Sequence, residues 1–167
     1  MAKASPAVVI SHWYHLIENL QASPLEFYKA VEHAIEKRQV PDAKRSRVDW
    51  REGGLLSARR EYLRVRRKDH VFDICGAPYG TGFFVSWWLG ALPSGFLGLL
   101  AAIPWIGALV RTFIRPDTYY KMDSALMFQQ ATHAAVQEAV DGMTNAKGIR
   151  ALTELERKPI LREFYKR

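Results

Sequence analysis

Thirty-seven consecutive residues, 74–110, contain no Asp, Glu, Lys, Arg or His, and this stretch constrains the chain more than any other feature. In its densest part, Phe83 to Val110, the only polar side-chain groups are Ser86, Ser94 and the indole N–H groups of Trp87, Trp88 and Trp105. A helix needs ~20 mainly apolar residues to cross ~30 Å of hydrocarbon. A helix on a water-soluble core normally keeps one polar face, and here no helical face is polar. The stretch is therefore predicted to enter a lipid bilayer. Trp87, Trp88, Trp105 and Tyr119 would be its interface anchors, because rings with one polar end favour the headgroup region. The competing reading of the same residues is a buried strand followed by a buried helix within a protein core.

Basic residues flank the stretch on both sides, which by the positive-inside rule keeps both flanks in the cytoplasm. That arrangement calls for a helical hairpin, and Pro93-Ser94-Gly95 supplies a turn at mid-run. Each arm is only just long enough to cross, so a single tilted transmembrane helix is the rival form. Three regions follow: an N-terminal basic α+β domain over 1–79, a membrane segment over 80–112 and a C-terminal helical arm over 113–167.

The predicted fold class is α+β: a small antiparallel hairpin or sheet with N-terminal helices, a membrane-inserted helical hairpin or span, and an amphipathic C-terminal arm. Ser5-Pro6 and Ser23-Pro24 each read as a helix start, a serine cap followed by proline at the first helical position. In the first helix Val9, Trp13, Leu16, Ile17 and Leu20 share a face; in the second Phe27, Val31, Ala34 and Ile35 do. Pro41 stops the second. Residues Arg60 to Arg66 alternate polar and apolar, as do His70 to Cys75, and the short polar connection between them predicts a hairpin. Leu63 and Val65 would face the core, with Arg64 and Arg66 opposite. A preceding strand around Arg47 to Arg51 completes a small sheet. Beyond the apolar stretch, a helix capped by Asp117 is expected to reach about Thr144, with Gly148 as its stop. Thr153-Glu154-Leu155-Glu156 matches a capping box and predicts a last helix, interrupted by Pro159.

Residues 37–68 hold twelve Lys and Arg against four Asp and Glu, a net +8 where the whole chain is +7. The excess charge thus sits just before the apolar stretch, where each basic residue near an anionic leaflet is worth ~1 kcal/mol. Arg59, Arg60, Arg64, Arg66, Arg67 and Lys68, with Arg111 and Arg115 downstream, are the candidate headgroup-binding residues. Trp50 and Tyr62 are interleaved with arginines as on nucleic-acid stacking platforms, but two aromatics are too few to carry that reading.

Catalytic chemistry finds little footing. On a helix, His12, His15 and Glu18 would align as metal ligands, but packing at a helix flank accounts for them more simply. Cys75 and His70 stand five apart in a strand and so face opposite ways. The glycines from Gly76 to Gly82 lack both the Walker lysine and the Rossmann spacing. No secretory signal or lipidation motif is read at either end, and a single cysteine excludes an internal disulfide. No cofactor, metal or small-molecule substrate is expected.

The function that emerges is a non-enzymatic, membrane-anchored adaptor or assembly module. Its basic collar contacts anionic lipids. Met122, Leu126, Ala131, Ala135, Val136 and Ala139 form the surface for another protein or a second copy. Two alternatives stand beside it: a pore component associating through Gly90, Gly98 and Gly107, and an interfacial enzyme on phospholipid headgroups using His70 or His133 as base.

Overall fold

The alternation from Arg60 onward produces the hairpin it predicts, and the strands on either side extend it into a larger sheet. The computed structural model describes residues 2–3, 8–51, 59–92 and 118–161. In chain order these form β1 (Ala2–Lys3), β2 (Val8–Ile17), α1 (Pro24–Lys37), β3 (Lys44–Arg51), β4 (Arg59–Arg67), β5 (His70–Tyr79), β6 (Gly82–Ala91), α2 (Tyr119–Ala146) and β7 (Ile160–Leu161). The sheet order is β1-β3-β4-β5-β6-β2-β7. Five long strands, β3-β4-β5-β6-β2, are antiparallel, and the two-residue strands β1 and β7 finish the edges.

Both helices pack on one face of this sheet. Trp13 and Ile17 of β2, Leu63 and Val65 of β4, Phe72 and Ile74 of β5, and Phe83, Val85, Trp87 and Leu89 of β6 meet Phe27, Tyr28, Val31, Ala34 and Ile35 of α1 and Phe128, Ala135, Val136, Ala139 and Val140 of α2. The period-2 pattern of the strands and the 3.6 period of the helices bury the same layer. α1 begins as read: Ser23 accepts a hydrogen bond from the Leu25 N–H at 3.2 Å, and Pro24 holds the first position. α2 is capped by Thr118 rather than Asp117, and Gly148 closes it in the left-handed region at φ 65°.

Three expectations are corrected. First, the fold contains no transmembrane helix or helical hairpin among the described residues, where no helix is long and apolar enough to cross a membrane. Phe83 to Gly90 lie within β6, which is paired on both sides, by β5 and β2; its helix-facing side is fully buried, and on the other side Ser86 and Gly90 are buried, Phe84 is half-buried and Trp88 is exposed. A central strand covered to this extent carries a near-continuous apolar run. The second half of the predicted membrane segment, including Pro93-Ser94-Gly95 and Trp105, lies outside the described residues. Second, the predicted helix after Ser5-Pro6 is the strand β2: Ser11, Trp13 and Ile17 are buried facing the helices, while His12, Tyr14 and Leu16 point away. Third, the capping box at Thr153 closes a turn, not a helix. Its bonds do form, Thr153 N–H to Glu156 Oε2 at 2.7 Å and Glu156 N–H to Thr153 Oγ1 at 3.4 Å. The C-terminal arm is likewise no free arm, since the second half of α2 is built into the core.

Two glycines separate packing from propensity. A Cβ at Gly76 would collide with the Phe27 ring and approach Phe83 Cζ to 3.1 Å, and both rings are fully buried. Gly142, exposed in α2, has nothing within 4 Å of that position. Gly76→Ala is expected to cost about 1–3 kcal/mol by overpacking. Gly142→Ala should gain up to about 1 kcal/mol from helix propensity. Urea unfolding midpoints of the two variants check both signs.

Candidate functional site

The strand register gathers one end of the sheet into a distinct surface. Val8 pairs with Ala91, Ala91 with His70, His70 with Arg67, and Lys44 with Arg66. The starts of β2, β3 and β5 and the ends of β4 and β6 therefore share this end. Leu92 continues from β6 and donates its N–H to Asp69 O at 2.7 Å, so the chain leaves for residues 93–117 beside the β4–β5 turn. It returns at the same end. α2 runs parallel to β2, because Gln129 bonds Ser11, His133 meets Trp13, and Lys147 reaches Gln21 O. Its upstream turns consequently project past the start of β2.

Those turns are unburied. Ala125 is the first buried residue of α2, while Tyr119 (87 % exposed), Tyr120, Met122, Leu126 and Met127 all face outward. On the other side of the same end stand Lys44, Arg66, Arg67 and Lys68. Elsewhere in the described residues, Lys37, Arg38, Arg45, Arg47, Arg64, Arg150 and Arg157 are engaged in carboxylate ion pairs. Among the described residues Lys44, Arg66, Arg67 and Lys68 are in none. Arg66 Nε and Arg67 Nε instead donate to the backbone carbonyls of Lys68 and Pro41, each at 3.1 Å.

The predicted headgroup residues divide accordingly. Arg66, Arg67 and Lys68 come together. Arg59 and Arg60 begin β4 at the opposite end, roughly 26 Å away at ~3.3 Å per residue. Arg64 is buried in a bidentate pair with Asp73, Nε to Oδ1 and Nη2 to Oδ2 both at 2.7 Å. Arg111 and Arg115 lie outside the described residues. Lys44 joins them through its cross-strand pairing with Arg66.

The aromatic anchors divide too. Trp87 is core, with its indole donating to His133 Nδ1 at 2.9 Å. Trp88 is 41 % exposed on the face away from the helices and stacks on His12 at 4.8 Å. Of the predicted docking stripe, Met122 and Leu126 are exposed and Ala131 is half-buried, whereas Ala135, Val136 and Ala139 are consumed internally. Small residues there let α1 approach, and Arg38 Nη2 reaches the Ala134 carbonyl at 3.2 Å. Gly90 is a buried strand residue, and Gly98 and Gly107 lie outside the described residues.

The candidate bases are spoken for. His133 accepts from Trp87 on Nδ1, and its Nε2 lies 2.7 Å from Arg157 O. That fixes a neutral tautomer with the proton on Nε2, holding the C-terminal segment against α2. Around it Gln137 bonds the same carbonyl, Trp13 Nε1 donates to Glu156 O at 2.6 Å, and Arg157 forms a bidentate pair with Asp141. Cys75 is fully buried, and burial pushes its thiol up. His12 and His15 point to opposite faces of β2. Among the described residues, no three His, Cys, Asp or Glu are placed to hold a metal ion. Comparison of the chain with family models, curated proteins and solved structures finds no match to any of them.

Burial lowers the His133 pKa below the ordinary histidine value of 6.5. The folded state thus binds this proton more weakly than the unfolded chain. Its contribution to stability is complete above pH 6.5 and declines as pH falls through the window beneath. Urea titrations at stepped pH between ~6.5 and ~5 should show stability falling in the wild type. His133→Gln should lower stability throughout and flatten that slope; an unchanged slope would refute the assignment.

Proposed function

We propose that the chain is a non-enzymatic module that attaches to anionic membrane surfaces through this end of its sheet and presents α2's exposed first turns to a partner. One observation carries the reading: Lys44, Arg66, Arg67 and Lys68 share an end with both attachment points of residues 93–117. That stretch is charge-free as far as Val110. Cations without an ion-pair partner among the described residues, beside an apolar stretch, suit a headgroup layer above hydrocarbon. Tyr119 and Tyr120 add rings that favour the interfacial region, and Met122, Leu126 and Met127 are apolar side chains left without a core. The opposite end, with Arg59 and Arg60, stands too far off to share that plane.

Lipid attachment by this end is electrostatic in part, so it weakens with salt. Vesicle flotation should recover the protein with phosphatidylserine-containing vesicles and recover less as salt rises from ~50 to ~200 mM. At ~1 kcal/mol per basic residue, Lys44→Ala/Arg66→Ala/Lys68→Ala together should weaken binding on the order of 100-fold. Arg60→Ala should leave it nearly unchanged. Equal recovery of the triple variant and the wild type would overturn the proposal.

A further inference from the structure

The basic end is not a flat patch. Asp42, Lys44, Arg66 and Lys68 line an open concavity of about 440 Å³ between the α1–β3 connection and the β4–β5 turn. Its walls are held by side-chain bonds to backbone carbonyls. Arg66 Nε caps the Lys68 carbonyl within the β4–β5 turn, and Arg67 Nε donates to the Pro41 carbonyl, tying that turn to the α1–β3 connection. Asp42 and Lys68 both occupy the left-handed region, at φ 58° and φ 50°, and so bend their loops tightly around the hollow. Lys44 and Arg66 stand opposite each other across the β3–β4 ladder.

Like charges directly opposed across a ladder repel, and among the described residues neither Lys44, Arg66 nor Lys68 has a carboxylate in ion-pair contact. Three cations and one carboxylate leave the hollow with an excess of two positive charges. A phosphomonoester carries about −1.5 to −2 at neutral pH and presents three acceptor oxygens. A phosphodiester carries a single charge. Arg66 still has its Nη groups, suited to forked contact with phosphate oxygens. Asp42 would repel a phosphate but accepts hydrogen bonds from hydroxyls.

From this we infer that the hollow binds a phosphomonoester carried on a polyol, with Lys44, Arg66 and Lys68 on the phosphate and Asp42 on a neighbouring hydroxyl. The inference rests on the proposed membrane attachment only for where such a group would come from. The chemistry is the same for a phosphorylated inositol headgroup in a bilayer and for a free polyol phosphate.

The full chain is tested against vesicles matched in surface charge that contain phosphatidylinositol monophosphate, phosphatidic acid or phosphatidylserine, and against soluble inositol bisphosphate by titration calorimetry. The phosphorylated inositol lipid should bind about tenfold tighter than phosphatidylserine, the equivalent of one charge-assisted hydrogen bond. Phosphatidic acid should fall between them. Arg66→Ala or Lys68→Ala should erase the preference. Asp42→Gly, which removes the acceptor and tolerates the left-handed backbone there, should erase the advantage over phosphatidic acid without weakening binding to the latter. Circular dichroism of each variant confirms that it is folded. Equal binding to all three vesicles at matched charge, with no calorimetric signal from inositol bisphosphate, would overturn the site and leave membrane attachment standing. Inositol bisphosphate binding that is lost in Arg66→Ala, with no vesicle bound, would keep the site and overturn membrane attachment. No binding to any probe would overturn both.

Discussion

The pairing of β2 with β6 is the constraint on which the architecture rests. Nine residue pairs join the first long strand to the last, across up to half of the chain's length. With β2 fixed beside β6, the meander β3-β4-β5-β6 has to start at the far edge, about four strand spacings or ~19 Å away. α1, at 14 residues and roughly 21 Å, bridges that distance on one face. α2 then fills the remainder of the face, aligned with β2 through the Ser11–Gln129 bond and the Trp13–His133 contact. The same pairing brings the start of β2 to the end of β6. Both attachments of residues 93–117 are thereby drawn to the end that carries Lys44, Arg66, Arg67 and Lys68.

That long-range pairing is also what local reading misses. Trp13 and Ile17 fit the core face of a helix and equally the inward face of a strand, since a spacing of four satisfies both periods approximately. Ser5-Pro6 tips the local choice to a helix. The partner that decides otherwise, Phe83 to Ala91, stands some seventy residues downstream in sequence. By contrast the β4–β5 hairpin, the Ser23-Pro24 start of α1 and the Gly148 end of α2 are fixed by neighbours within a few residues, and these are legible.

The charge-free run shows how burial and lipid solvation write similar sequences. Phe83, Val85, Trp87 and Leu89 face the helices at full burial, and Ser86 and Gly90 are buried on the other side. A strand paired on both sides, with one face fully buried and Ser86 and Gly90 buried on the other, has little room for a charge, because an unpaired buried ion is costly. So the absence of charge through Gly90 is explained by protein packing. A hydropathy window scores apolar content alone and does not tell a buried strand from a bilayer helix.

The basic residues make the same point about registers. Arg64 and Arg66 lie two apart on one strand, share a face, and look equivalent in sequence. Cross-strand partnership separates them: Asp73 stands opposite Arg64 and Val71 opposite Arg66. The first guanidinium becomes a buried structural cation, whose loss of Asp73 would leave an uncompensated charge. The second stays exposed. The two-residue turn Lys68-Asp69, with Lys68 in the left-handed region, fixes that register and so decides which arginine is structural and which faces outward. The charge offered at this end of the molecule is therefore a property of one tight turn, and counting basic residues along the chain overstates it.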